Sequence, residues 1–160
     1  MVDTETRATV EDHRALRLWL RLLACSNLVE STVRSRLRTQ FSTTLPRFDF
    51  MAQLERSAVG LSMGEISRRM MVSGGNITAI ADQLEREGLV ERSTAPHDRR
   101  AQRVRLSAAG KRTFREMARA HESWIIELLG GLGVRDQAEC YGLLATLKAH
   151  LAHAAKDGTR

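Results

Sequence analysis

Residues 84–110 run Leu84-Glu85-Arg86-Glu87-Gly88-Leu89-Val90-Glu91-Arg92-Ser93, then Thr94-Ala95-Pro96-His97-Asp98-Arg99-Arg100-Ala101, then Gln102-Arg103-Val104-Arg105-Leu106-Ser107-Ala108-Ala109-Gly110. Gly88 stands where a helix ends, because a residue without Cβ enters the left-handed conformation at no steric cost. Beyond it, Val90–Ser93 and Gln102–Leu106 alternate apolar residues (Val90, Val104, Leu106) with charged ones, the period of a half-buried hairpin. The loop between them is polar and carries a proline and two adjacent arginines. Ser107 then opens a further helix as its N-cap. A helix, a hairpin with a basic tip and another helix in direct succession make a wing.

Upstream, Ser62-Met63-Gly64-Glu65 is a capping box. Ser62 accepts from the amide of Glu65, whose side chain reaches back to Ser62. Ile66 and Met70 face inward on the helix it starts. After a Met71-Val72 turn, Ser73 caps a second short helix whose buried stripe is Ile77, Ile80, Ala81 and Leu84. Two short helices so joined form a helix-turn-helix. From Glu11 to Thr39, Leu18, Leu22, Cys25, Val29, Val33 and Leu37 recur every three or four residues and paint one stripe along a long helix. A helix of that length suits packing against a second chain. Pro46 sits in the first turn of the next helix, with Phe48, Met51, Ala52 and Leu54 at helical spacing. Downstream of Ser107, Phe114, Met117, Ala118, His121, Ile125, Leu128 and Leu132 share a face, and Gly130-Gly131-Leu132-Gly133 makes a hinge. A last helix presents Cys140, Leu143, Leu144, Leu147 and Leu151. The expected fold is mainly α with a small two-stranded wing (α+β). It divides into an N-terminal dimerisation helix (1–40), a winged helix-turn-helix lobe (41–110) and C-terminal dimerisation helices (111–160).

The chain has 160 residues and a net charge of +6. Between Arg86 and Arg119 ten basic residues face four acidic ones, so this window holds the whole excess. A localised positive patch is the footprint of a polyanionic partner. No apolar run reaches the ~18 residues of a membrane helix, and the polar start lacks a secretory signal. A cytoplasmic protein with no membrane partner is therefore expected. Enzyme chemistry finds no foothold: there is no phosphate-binding Gly-Lys-Ser/Thr loop, no nucleophile elbow, and no metal-ligand spacing among the histidines and cysteines. The glycines at 130–133 follow no strand and frame no phosphate cradle. Neither a cofactor nor a metal is implied. Cys25 and Cys140 read as buried, inert thiols.

The stretch Leu61–Gly110 resembles the MarR family of bacterial transcription regulators. The resemblance rests on Leu84–Arg92, Asp98-Arg99-Arg100-Ala101 and Val104–Gly110, within a stretch that is about a third of the chain. The flanking helices fit that family's dimerisation region in position and length. The resemblance implies a triangular homodimer, an arginine in the minor groove at Arg100, and a wing held in shape by Asp98. A guanidinium suits the narrow, negative minor groove. The Ser73 helix then lies in the major groove, with Gly75, Asn76, Thr78, Ala79, Gln83 and Arg86 outward or on its flanks. Asn76 and Gln83 can bridge an adenine edge, and Thr78 and Ala79 can meet a thymine methyl. Gly74 and Gly75 let helix amides approach a phosphate. Asp82 takes Arg86 as its partner at i+4. Arg68, Arg69 and Arg103 hold the duplex backbone, which fixes register without reading sequence, and Arg99 beside Arg100 belongs to the DNA-contacting set.

Such regulators typically sense a small anionic aromatic between the dimer helices and the reading lobe. The candidates here are Arg34, Arg36 and Arg38, followed by Arg47, Phe48, Phe50 and Met51. Thr44–Arg56 resembles relatives that govern aromatic-acid catabolism, some of them responsive to aromatic acyl-CoA thioesters. Clustered arginines beside aromatics suit such anions. The expected partners are double-stranded operator DNA, a second copy of the chain, and an anionic aromatic or its CoA thioester. Two other readings stay open: a redox-responsive repressor acting through Cys25, and a winged helix that binds protein.

Overall fold

The computed structural model describes residues 10–70, 74–95 and 98–157. The elements follow as α1 (Val10–Phe41), α2 (Leu45–Glu55), β1 (Leu61–Ser62), α3 (Met63–Met70), α4 (Gly74–Arg86), β2 (Val90–Ala95), β3 (Asp98–Leu106), α5 (Ala108–Leu129) and α6 (Val134–Asp157). The chain divides into two compact units, Met1–His121 and Glu122–Arg160.

In the first unit, α1 ends where Ser42 turns left-handed at φ 49°. The Ser42 amide donates to Arg38 and the Thr43 amide to Leu37. Pro46 occupies the first turn of α2, where its missing N–H costs nothing. The α2 residues Phe50, Met51 and Leu54 then form the centre of the core. Around them close Val33 and Leu37 of α1, Ile66 of α3, Ile77, Ala81 and Leu84 of α4, and Val90, Val104 and Leu106 of the sheet. Each of these side chains larger than alanine contributes about 1.5–3 kcal/mol by leaving water. The capping box forms as its spacing predicts: Ser62 N–H donates to Glu65 at 2.7 Å, and Glu65 N–H donates to Ser62 Oγ at 3.2 Å.

Two glycines fix the joints of the wing. Gly88, at φ 71°, ends α4 as a left-handed residue. Gly110 serves close approach instead: a Cβ there would stand 1.9 Å from the Leu89 carbonyl oxygen. The first turn of α5 therefore rests directly on the backbone entering β2. Ser107 completes the joint, accepting from the Gly110 amide at 2.9 Å and donating to the Gly88 carbonyl at 2.6 Å.

The hairpin β2–β3 is the expected wing. Its strands are longer than the alternation shows, pairing antiparallel from Val90↔Leu106 to Ala95↔Asp98 with an irregularity at Thr94/Ala95. The sheet has a third strand that the sequence did not announce. β1 pairs with β3 through Leu61↔Val104 and Ser62↔Arg103, in the order β1-β3-β2. Two residues are too few to show a period. The Met71-Val72 turn, the Ser73 cap and the Pro96-His97 tip lie outside the described residues.

The second unit holds the end of α5 and α6, separated at the expected glycine hinge. Gln137 closes that turn, its amide donating to the Leu129 and Leu132 carbonyls at 3.1 and 2.9 Å.

The cysteine expectation is corrected. Cys25 and Cys140 are both exposed. On α1 only the end of the stripe that meets α2 is buried (Val33, Leu37), whereas Leu18, Trp19 and Leu28 stay 54–71% exposed. Tyr141, Leu143, Leu144 and Leu151 on α6 are exposed likewise. A helical period shows that a face is apolar, not what covers it. No helix among the described residues is long and apolar enough to cross a membrane.

Candidate nucleic-acid interface and an adjoining cleft

The rotation of α4 is fixed from inside. Ile77, Ala81 and Leu84 are fully buried and Ile80 nearly so, which leaves Asn76, Thr78, Ala79, Gln83 and Arg86 exposed. Gly75 lies in the first turn of the helix. Of these, Asn76, Thr78, Ala79 and Gln83 are the ones assigned to base edges. They form a polar face without a carboxylate in its first two turns.

Asp82 is neutralised, though not by the expected partner. Its carboxylate pairs with Arg92 of β2, which also lies 3.4 Å from Glu85. The Arg86 Nε donates to the Asp82 backbone carbonyl at 3.3 Å. A guanidinium reaching across from the hairpin meets two carboxylates at once, which a single i,i+4 contact cannot match. Arg92 thereby ties the reading helix to the wing. Sequence spacing missed this link, since nothing local joins positions 82 and 92.

On α3, Arg68 and Arg69 are exposed and occupy its last turn. Arg103 has an internal task. Its Nη1 donates to the Gly60 carbonyl at 2.8 Å and lies 3.9 Å from Glu65, bracing β3 against the start of α3. The Glu65 carboxyl is held below its usual range, first by the Ser62 amide, then by the Ser62 hydroxyl, with Arg103 and Arg69 adding. Arg105 pairs across the ladder with Glu91 at 3.0 Å. Asp98, Arg99 and Arg100 lie on β3 beside the tip; the roles assigned to their side chains lie outside the described residues.

The candidate ligand residues separate into two groups. Phe48, Phe50 and Met51 are core, and the Phe48 ring stacks on Phe114 at 5.5 Å and tilts against His121 at 5.0 Å. Arg34, Arg38 and Arg47 instead line a cleft of about 430 Å³, together with Thr43 and Thr44. Arg36 is not among its lining residues. The opposite wall is α4, through Asn76, Ala79 and Gln83. No carboxylate lines this cleft. Arg34 bonds Glu30 at 3.1 Å on the surface, and Arg47 pairs with Glu87 while its buried Nε has no partner. The half-buried Asp49 carboxyl is pushed up by burial and by Glu30, with His121 opposing. The sequence places the arginines in a run. Only the fold sets them against residues 40 positions downstream.

Two short helices and a wing, with α4 rotated polar-side out beside a surplus of arginine, make a fold shared by many DNA-binding proteins. Residues 42–101 match the sequence profile of the MarR family. The chain is 28% identical over 138 residues to the transcriptional activatory protein BadR of Rhodopseudomonas palustris, covering 84% of this chain and 78% of that one. It is 34% identical over 92 residues to the HTH-type transcriptional regulator PrsX of Escherichia coli, of which it spans 55%. Among solved structures, a MarR family transcriptional regulator from Silicibacter pomeroyi superposes with a TM-score of 0.77 at 28% identity, over 90% of this chain and 99% of that one. The same fold appears in Streptococcus pneumoniae FabT in complex with DNA, with a TM-score of 0.73 at 22% identity, over 88% and 99%. It appears again in Rhodococcus jostii CouR bound to p-coumaroyl-CoA, with a TM-score of 0.70 at 18% identity, over 81% and 90%. In its matched lobe and its fold the chain is similar to MarR-family proteins, and the relatives named here are described as transcriptional regulators.

Proposed function

We propose that this protein is a ligand-responsive transcriptional repressor that binds a near-palindromic operator as a homodimer and is released by a small anionic aromatic effector, an aromatic acyl-CoA thioester included. The observation that carries the DNA-binding part is the outward face of α4, with Asn76 and Gln83 one above the other over a fully buried stripe. Asn and Gln side chains match the paired donor and acceptor of adenine in the major groove. Arg68 and Arg69 hold phosphates beside it, and Arg100 enters the minor groove from the wing, with Asp98 shaping the tip. The complex of FabT with DNA supports this use of the fold.

Residues 1–40 and 111–160 supply the dimer. The exposed apolar side chains of α1 and α6 are what a second copy would cover. Twofold symmetry places half-sites about one helical turn apart, ~34 Å. The effector reading draws on the arginine-lined cleft and on CouR, whose ligand is a CoA thioester. Near-complete release requires about 5 kcal/mol of preference for the form that does not hold DNA. The name of BadR supports activation as the alternative direction of control.

The test is a mobility-shift titration on the gene's own upstream region, run at several salt concentrations and with a panel of aromatic acids and their CoA thioesters. Specific binding that weakens by orders of magnitude from low to moderate salt is expected. Binding that ignores salt, or an Arg100→Ala variant with unchanged affinity, refutes the proposal. A second reading, release by oxidation of Cys25, draws on the exposure of that thiol. A Cys25→Ser variant whose operator complex responds to peroxide as the parent does removes it.

A further inference from the structure

We infer that the protein carries a separate phosphate site at the foot of the wing. It is a cleft built from none of the residues assigned above to DNA or effector, and it takes a doubly charged phosphate, free or as the monoester of a small metabolite. The site stands whether or not α4 reads DNA.

The cleft has a volume of about 560 Å³, within the ~300–1,000 Å³ range of small-molecule sites. Three parts of the first compact unit wall it: the end of α2 with the turn after it, the base of the β2–β3 hairpin, and the first two turns of α5. Four cations line it (Arg56, Arg105, Lys111 and Arg115) against the two carboxylates of Glu55 and Glu91. Both carboxylates are already engaged. Arg105 holds Glu91 at 3.0 Å, and Arg115 lies 3.7 Å from Glu55. Arg56 and Lys111 have no ion-pair partner among the described residues. The lining therefore keeps a surplus of two positive charges.

The hydroxyls of the lining are turned to other work. Ser57 donates to the Gly60 carbonyl at 2.9 Å and Ser107 to that of Gly88 at 2.6 Å. Recognition falls to charge. A single carboxylate answers one of the two unpaired cations, whereas a phosphate monoester above its second pKa of about 6 carries close to two negative charges on three acceptor oxygens. The planar fork of an arginine takes two such oxygens in parallel, and a lysine serves as a point charge for the third. No acidic residue stands in the first turn of α5, so the positive end of that helix adds to the same field. The buried Leu54 and Leu106 supply apolar lining for the organic part of a monoester. Arg56 and Lys111 are exposed, so either can be replaced without disturbing the core.

Calorimetric titration of the full-length protein with inorganic phosphate, and separately with phenyl phosphate, tests this. The ionic strength is held constant, because salt screens exposed charges, and the pH at about 8, where both ligands are dianions. Either phosphate should bind at least about tenfold more tightly than acetate. Arg56→Gln and Lys111→Gln should each lower phosphate affinity at least about tenfold. Arg38→Gln, in the cleft beside α4, and Arg68→Gln, on α3, should leave it unchanged; circular dichroism confirms that all four variants fold. Equal affinity for the two ligands assigns the site to the phosphate group alone, and tighter binding of phenyl phosphate assigns it to a monoester. No heat from either phosphate overturns the inference. So does acetate bound as tightly, or a loss in Arg38→Gln or Arg68→Gln equal to the losses in Arg56→Gln and Lys111→Gln. A phosphate heat abolished by saturating duplex from the gene's own upstream region gives these cations to the DNA backbone and overturns it as well. A heat that persists beside the duplex and depends on Arg56 and Lys111 bears it out.

Discussion

Replacing Ser107 by alanine removes both bonds that lock the wing to α5. Its hydroxyl is the acceptor for the buried Gly110 amide at 2.9 Å and the donor to Gly88 at 2.6 Å. The residue is only 8% exposed. Loss of a serine N-cap costs about 1 kcal/mol, and the partly buried Gly88 carbonyl left without its donor adds about 1 kcal/mol. The expected destabilisation is therefore about 2 kcal/mol, roughly thirtyfold in the folding equilibrium. For a chain of this length it lowers the melting midpoint by about 4–8 °C. Water cannot restore the Gly110 amide, because that residue is pressed against Leu89. Ser62→Ala serves as the internal standard. It removes one longer cap bond, 3.2 Å, at a half-buried position and leaves the Ser62 amide on Glu65; about 1 kcal/mol or less is expected. Urea unfolding at fixed protein concentration, with unchanged slope, measures both. A Ser107→Ala loss no larger than that of Ser62→Ala refutes the double role assigned to this hydroxyl.

Asn76→Ala should cost about 1–3 kcal/mol of discrimination between the operator and a single-base variant, with non-specific affinity retained; competition mobility shifts measure it. Arg92→Gln strips Asp82 and Glu85 of their counter-charge on the reading helix, and operator affinity should fall about tenfold as their field reaches the phosphates. High salt should narrow that gap, and a gap independent of salt argues against the electrostatic cause. For Asp49, burial and Glu30 hold the folded-state pKa above its ordinary value. The native state then takes the proton more readily than the unfolded chain, so this carboxyl's contribution is complete at low pH and is lost as pH rises through the folded pKa. Asp49→Asn should accordingly raise the melting midpoint at neutral pH, with the gain vanishing below the ordinary carboxylate range. A lower midpoint at neutral pH would show that the charge is stabilised in place.

What was legible in the sequence was whatever depends on neighbours along the chain. The capping box at Ser62, the left-handed stop at Gly88, the Ser107 cap and the alternation around Val104 each involve partners within a few residues. Their physics is local, and the structure reproduces them. The buried stripe of α4 could be read for the same reason, and with it the outward face that carries Asn76 and Gln83. Phe48, Phe50 and Met51 were ambiguous, because apolar spacing is the same for a core face and for a ligand wall.

Tertiary structure alone decided which distant groups meet. It gave Asp82 to Arg92, added β1 to the sheet, drew Arg103 inward to Gly60, and left Cys25 in the open on a stripe that one chain does not cover. It also set Arg34, Arg38 and Arg47 across from Asn76, Ala79 and Gln83. Such pairings depend on the rotation and approach of whole elements, which the shared core around Phe50 and Leu54 fixes, and no spacing along the chain encodes them.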